Sequence, residues 1–126
     1  MIQGITFDNL TIDCSDEKRL CEFYHKLLGW EKCEFYGHQA LKSPNNQLTF
    51  LFIQEEDYIP PVWPEEPGKQ QKQIHFDFVM PDVAAAVQYA ESIGAVKSKV
   101  QFGGEYFVTL FDPDGHPICL CAKGDA

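Results

Sequence analysis

The strongest constraint on the fold is an internal duplication, because the two halves of the chain carry the same order of sequence signals. When Asp82 is placed over Asp16, an offset of 66 residues, two amphipathic stretches superpose without a gap. Toward the end of each half the offset becomes 69, since the turn at 112–115 matches the turn at 43–46. A repeated supersecondary unit defines a fold class better than any single strand assignment does.

The first half reads as a strand, a helix and three further strands. Apolar and β-branched residues run from Ile5 to Cys14, and Asp16 then supplies a helix N-cap. Apolar residues recur every three or four positions until Gly29 ends the helix. Strand candidates follow at 30–36, 38–42 and 48–54, separated by turns that contain Gly, Pro and Asn. Module one, about 1–54, is therefore βαβββ.

The second half repeats this order after a linker. Residues 55–72 are rich in Pro and charge and sustain neither the helical nor the strand period. Module two, about 73–126, has a helix at 82–93, with strand candidates at 73–80, 97–102, 106–112 and 117–122. The sequence therefore predicts an α+β fold: one domain over 1–126, made of two βαβββ modules.

Charge and cysteine content narrow the possible partners. A formal net charge of −9 repels nucleic acid and anionic membranes. Neither a basic leader nor an apolar run of about 20 residues is present, so we expect no membrane partner and a cytoplasmic location. The five cysteines form no C-x-x-C pair, which favours reduced thiols over disulfides or a zinc knuckle. They are Cys14, Cys21, Cys33, Cys119 and Cys121.

Three sequence elements carry a resemblance to a known superfamily. They are the helix pattern Leu20-x-x-Phe23-Tyr24-x-x-Leu27-Leu28-Gly29-Trp30, the run Gln73-Ile74-His75-Phe76-Asp77, and the turn Asp112-Pro113-Asp114-Gly115-His116-Pro117. The chain resembles the vicinal-oxygen-chelate superfamily, which contains glyoxalase I, bleomycin-resistance proteins and extradiol dioxygenases. The segment 60–64 further resembles the linker of a glyoxalase-like subgroup without assigned substrates. The resemblance implies paired, curved mixed sheets around a cleft.

In that superfamily, four strands supply ligands to a divalent metal, usually His or Gln from the first strand of a module and Glu from the last. The repeat alignment maps these positions onto Asn9, Phe50, His75 and Cys119. Only His75 is a usual ligand, because Phe50 has no lone pair and Cys119 would favour soft ions. We therefore expect these four side chains to face one another across the cleft with no metal and no cofactor.

His75 and Cys119 are the candidate catalytic residues. Histidine is the side chain best suited to proton transfer near neutral pH. Pocket hydrogen bonding or acid/base work is the favoured role of His75, and roles as a core histidine or a metal ligand stay open. Cys119 shares a strand face with Cys121 and would be a nucleophile only if a neighbour such as His75 lowered its pKa. Its alternative role is that of a small buried apolar residue.

Aromatic residues complete the expected ligand-binding set. Rings in this fold either line a pocket or pack in the core, and the sequence leaves both roles open. The expected set is Asn9, Phe50, Phe52, Trp63, His75, Tyr106, Phe107 and Cys119.

These observations predict a glyoxalase-like domain that binds a small, partly apolar or aromatic molecule without a metal. Sequestration and metal-free proton transfer are both compatible, so whether the protein is an enzyme stays open. The alternatives are a metal-dependent lyase, isomerase or dioxygenase, and a ligand-free structural or regulatory homodimer. A homodimer is expected in each case, because small relatives usually pair their modules with a second copy and symmetric pairs are the commonest oligomer.

Overall fold

The protein, described here by a computed structural model over residues 1–123, divides into two compact units. Unit one is Met1–Tyr58, and unit two begins at Ile59. The predicted end of module two at 126 lies outside the described residues. Because the boundary follows Tyr58, most of the stretch predicted as a linker belongs to unit two.

Unit one contains one helix and a four-stranded mixed sheet. Its elements are β1 (Leu10–Cys14), α1 (Glu17–Leu28), β2 (Glu31–Phe35), β3 (His38–Lys42) and β4 (Thr49–Gln54). The strand order is β1-β4-β3-β2, with β1 parallel to β4 and the other pairs antiparallel. A short 3-10 turn at Pro44–Asn46 joins β3 to β4.

Unit two repeats this topology. Its elements are β5 (Phe76–Val79), α2 (Val83–Ser92), β6 (Val96–Lys97), β7 (Phe107–Phe111) and β8 (Pro117–Cys121). The strand order is β5-β8-β7-β6, with β5 parallel to β8. The predicted α+β class with two βαβββ modules is confirmed.

Strand β6 is much shorter than the predicted 97–102, and a side chain explains why. The Gln101 amide donates to the Thr109 carbonyl oxygen at 2.8 Å, and its oxygen accepts from the Thr109 N–H at 2.9 Å. The Ser98 N–H also donates to the Thr109 carbonyl oxygen, at 3.0 Å, so the Gln101 side chain takes the place of a neighbouring strand only at the Thr109 N–H. The chain therefore leaves the sheet early and forms a loop before β7.

Both helices begin at the aspartates that the repeat alignment superposes. The Asp16 carboxylate accepts from the Arg19 N–H at 3.1 Å, and the Asp82 carboxylate accepts from the Ala85 N–H at 3.0 Å. Each bond satisfies one of the backbone donors that a helix leaves unpaired at its first turn. Within the described residues, no helix has both the length and the hydropathy needed to cross a membrane.

The core of unit one lies between α1 and one face of its sheet. The Tyr24 ring stacks on Phe52 with centroids 5.9 Å apart and meets Phe50 edge-on at 6.0 Å. Trp30 lies 4.8 Å from Phe50 on a centroid basis. Aromatic pairs at such separations add about 0.5–1.5 kcal/mol beyond the burial of their surface. Phe50 and Phe52 therefore project from the sheet face that α1 covers.

Glu17, in the first turn of α1, forms hydrogen bonds that link the helix to β3 and β4. Its carboxylate accepts hydrogen bonds from the Gln39 N–H at 2.9 Å, the His38 ring at 3.0 Å and the Gln54 N–H at 3.4 Å. Burial on its own would raise the pKa of Glu17, but these three hydrogen bonds outweigh it and hold the pKa below its ordinary value. The folded state therefore favours the ionised carboxylate.

We predict that Glu17→Gln lowers the free energy of unfolding by about 1–2 kcal/mol at pH 7, because hydrogen bonds to a charged group are lost. The stabilising effect of a depressed carboxyl pKa is complete above the unfolded value, about 4.3. It disappears as the pH falls through the lower folded value. Urea unfolding at pH 7 and pH 3 should therefore show a difference between native chain and variant that shrinks with acid. Glu34→Gln, which removes an exposed carboxylate from β2, is the control. An equal loss in both variants would contradict the role of Glu17.

Candidate functional site

Polar side chains form a row across the centre of the unit-two sheet. Cys119 on β8 is the register partner of Asp77 on β5 and of Thr109 on β7. Register partners in neighbouring strands point to the same face of a sheet. His75 precedes Asp77 by two residues and joins that face. The β8 register therefore brings four polar side chains together.

The distances within this row define a small cluster. His75 Nε2 lies 3.1 Å from Asp77 Oδ1, and Thr109 Oγ1 lies 3.5 Å from Cys119 Sγ. One ligand atom from each of His75, Asp77 and Cys119 lies within 4.8 Å of the other two. The side chains of His75 and Asp77 are 38% and 61% exposed, whereas Cys119 is 7% exposed. The cluster thus extends from solvent to a buried thiol.

The cluster forms one side of a pocket of about 320 Å³ that is lined by unit-two residues. Its size lies at the lower end of the range of small-molecule sites, about 300–1,000 Å³. The remaining lining residues are mainly apolar and aromatic: Trp63, Lys72, Phe102, Phe107, Pro117 and Cys121.

The aromatic wall is built by the segment that precedes β5. The Trp63 ring meets Phe102 edge-on with centroids 5.8 Å apart. Lys72 Nζ lies 4.1 Å from the centroid of the Trp63 ring and 2.7 Å from Glu65 Oε1. The Val62 N–H donates to the Gln70 carbonyl oxygen at 2.9 Å, which folds the segment back on itself. Residues predicted as a linker therefore contribute directly to the pocket.

Glycine at position 103 is required where the loop before β7 approaches that strand. A Cβ atom at Gly103 would lie 2.2 Å from the Phe107 carbonyl oxygen and 2.6 Å from its ring. Only glycine allows such a close approach. The contact fixes the loop that carries Phe102 beside Phe107.

The surroundings of the two pocket thiols keep them protonated. Burial raises the pKa of Cys119, the hydrogen bond with Thr109 opposes this, and the negative charge of Asp77 adds to it. Burial also raises the pKa of Cys121, again with a contribution from Asp77. A nucleophilic cysteine requires the thiolate. The site therefore opposes a nucleophilic role for Cys119 and suits it to the apolar floor of the pocket.

Of the residues expected to bind a ligand, four line this pocket: Trp63, His75, Phe107 and Cys119. Tyr106 does not line it. Its side chain is 69% exposed, since strand alternation turns it away from the face of Phe107. Sequence reasoning missed Thr109, which only the β7–β8 register identifies, and Lys72, for which no sequence signal exists.

Phe50 and Phe52 are not among the residues that line this pocket, and their contact with a ligand stays a prediction. They are 2% and 0% exposed and belong to the core under α1. In unit one, Leu51 is the register partner of Thr11, just as Cys119 is the partner of Asp77 in unit two. Cys119 therefore corresponds to Leu51 rather than Phe50. A shift of one residue moves every side chain of a strand to the opposite face.

Asn9 lies in unit one, just before β1, and both polar atoms of its amide are engaged locally. Its Nδ2 donates to Asp8 Oδ2 at 2.8 Å, and its Oδ1 accepts from the Thr11 hydroxyl at 2.6 Å. Its convergence with His75 and Cys119 stays a prediction, because those residues belong to the other unit.

The three donors of unit two fit some metal ions better than others. Imidazole, carboxylate and thiolate are together suited to zinc, whereas magnesium and manganese prefer oxygen ligands. Metal binding would require deprotonation of Cys119, which its surroundings oppose. Leu51, the counterpart of Cys119 in unit one, has no lone pair. The residues therefore fit a borderline ion held by unit two and do not fit an oxygen-rich site for a hard cation.

Comparisons with known proteins agree with this architecture. A solved structure of an integron cassette protein from Vibrio cholerae is 20% identical, with a TM-score of 0.62 over 98% of this chain and 99% of that one. A glyoxalase/bleomycin resistance protein from Albidiferax ferrireducens is 17% identical, with a TM-score of 0.64 over 94% and 98%. A fosfomycin resistance protein from Mesorhizobium loti is 13% identical, with a TM-score of 0.65 over 98% and 94%.

At these identities the solved structures show the fold alone, and no curated protein sequence matches the chain significantly. The glyoxalase-like domain family matches residues 9–121, which is most of the sequence. The resemblance to the vicinal-oxygen-chelate superfamily is thereby confirmed, and this chain belongs to the glyoxalase-like domain family.

Proposed function

We propose that the unit-two pocket binds a small, partly apolar or aromatic molecule without a metal. The observation that carries this proposal is a 320 Å³ pocket with aromatic walls and convergent polar groups at one side. Such a combination is typical of sites in which apolar contacts supply affinity and a few polar groups fix orientation. A net charge of −9 supports a small-molecule partner over nucleic acid.

The same pocket supports proton transfer as well as sequestration. A hydrogen bond from His75 Nε2 to Asp77 would fix the ring and its tautomer, leaving Nδ1 as a proton acceptor. Asp77 would then be a positioning residue, and His75 the group that touches the bound molecule. The apolar walls would limit access of water to that atom.

We predict that N-phenyl-1-naphthylamine, a neutral aromatic fluorescent probe, binds the native chain and that Phe107→Ala weakens binding about tenfold. Removing a buried ring costs about 1.5–3 kcal/mol of apolar contact, and a tenfold change in affinity corresponds to about 1.4 kcal/mol. The control is Tyr106→Ala, the adjacent residue on the other face of the strand. Fluorescence titration measures both. Equal weakening in the two variants, or no binding by the folded native chain, would contradict the proposed pocket.

A second candidate function, that of a metal-dependent lyase, isomerase or dioxygenase, is favoured by one observation. The ligand atoms of His75, Asp77 and Cys119 lie within 4.8 Å of one another. A metal bound there would supply Lewis-acid polarisation of a substrate oxygen. The raised pKa of Cys119, caused chiefly by its burial, weighs against this candidate.

Cobalt(II) distinguishes the two candidates, because thiolate ligation produces a charge-transfer absorption band. We predict no such band and no increase in melting temperature on adding cobalt(II) or zinc(II) at neutral pH. The matched variants are Cys119→Ser and Cys121→Ser, since Cys121 lies outside the three-residue cluster. A band that persists in Cys121→Ser and vanishes in Cys119→Ser would overturn the metal-free proposal.

We also infer that the protein is a cytoplasmic homodimer. The five cysteines are thiols rather than disulfides, as expected in a reducing compartment. Strands β2 and β6 stand at the ends of their sheets, and Ile2, Ile5 and Phe7 are exposed. Natural proteins usually cover such edges and apolar surfaces.

We predict a mass of twice the 14.4 kDa of one chain in multi-angle light scattering. A monomer at high concentration would contradict the dimer without affecting the pocket. A dimer that fails to bind the naphthylamine probe would instead favour the third possibility, a ligand-free structural or regulatory homodimer.

A further inference from the structure

We propose that the molecule held in this pocket is a small aromatic acid, whose carboxylate or phenolate lies at Lys72 while its ring lies against Phe107. The proposal rests on the proposed function and adds a charge and an orientation to it. It follows from an uneven distribution of charge along the pocket wall, which apolar contacts alone would not require.

Lys72 provides the positive charge on the pocket wall. Among the side chains that line it, Lys72 is the one Lys or Arg. Its side chain is 17% exposed, whereas that of its ion-pair partner Glu65 is 48% exposed. Water screens the more exposed charge more strongly, so the positive charge of Lys72 is the less screened of the two. The ammonium group has three N–H donors, and the Glu65 contact engages one of them.

The part of the pocket wall at Asp77 is unsuited to an anion. Asp77 lies beside Cys119, and its negative charge contributes, after burial, to the raised pKa of that thiol. An acidic group placed there would meet the same repulsion. His75 and Asp77 instead suit a hydrogen-bond donor, such as a hydroxyl on the far side of the ligand ring. The pocket wall therefore carries one cationic side chain and one pair of hydrogen-bond acceptors.

Aromatic side chains form much of the remaining pocket wall. Trp63 and Phe102 pack edge to face at 5.8 Å, and Phe107 emerges from β7 on the same side as Cys121, its register partner. Flat rings gain stacking and edge-to-face contacts from such walls that aliphatic chains do not. A pocket of about 320 Å³ is large enough for a substituted benzene ring.

The test compares three probes of equal shape and different charge: benzoate, benzamide and benzylamine. Each is titrated as a competitor of N-phenyl-1-naphthylamine. We expect benzoate to bind at least tenfold more tightly than benzamide, and benzylamine to bind least. In Lys72→Met, which keeps the length of the side chain, benzoate and benzamide should differ by less than about twofold. Lys69→Met, which removes an exposed lysine from the same segment, should retain the tenfold preference.

The outcomes separate this inference from the proposed function. If the naphthylamine binds but benzoate and benzamide compete equally with it, the acid preference is overturned and the pocket stands. The same holds if Lys69→Met removes the preference as fully as Lys72→Met does, because the net charge of the chain would then be the cause. If the naphthylamine does not bind at all, the proposed function fails first. The comparison in the native chain needs no variant, so misfolding of Lys72→Met leaves the inference testable.

Discussion

The pocket depends on one arrangement of backbone hydrogen bonds, the placement of β8 between β5 and β7. Because β8 pairs in parallel with β5 and antiparallel with β7, Asp77, Cys119 and Thr109 form a single row. The strand register alone places these three side chains next to one another, so no side-chain interaction is needed to do this. Two loops complete the pocket beside this row. The close approach at Gly103 positions Phe102, and the folded segment before β5 positions Trp63 and Lys72. A register shift in β8 would disperse the polar row and turn Cys119 away from it.

The two units show how one topology yields different chemistry. In unit one the row that corresponds to Asp77, Cys119 and Thr109 is Thr11, Leu51 and Ala40, which follows from the same register relations. That row holds no ionisable side chain. Both units therefore share one backbone topology. Within the described residues, a carboxylate, a thiol and an imidazole come together only in unit two. Membership of the glyoxalase-like family identifies the scaffold and leaves the chemistry to individual residues.

Much of the fold was predictable from the sequence, because helix periodicity and the two N-cap aspartates are local signals. His75, Trp63, Phe107 and Cys119 line one pocket, and their contact with a ligand stays a prediction. Alternation along a strand accounts for Phe107 and Cys119, because it determines which face of the sheet a residue occupies. Phe50 was misplaced because the turn between β3 and β4 differs in length from its counterpart, and an error of one residue reverses a strand. Lys72 was missed because its position depends on how an irregular segment folds back, which no periodic pattern encodes.

The cysteine at position 119 determines how Asp77 and His75 interact. A carboxylate at this position, as the family resemblance implies for its metal-binding members, would stand directly beside Asp77 on the neighbouring strand. Two such charges at register-partner distance repel each other unless a cation lies between them. A buried, protonated thiol removes that repulsion and lets Asp77 pair with His75 instead. A thiol at position 119 therefore weakens the case for a hard metal ion and agrees with the proposal that His75 and Asp77 act on a bound organic molecule.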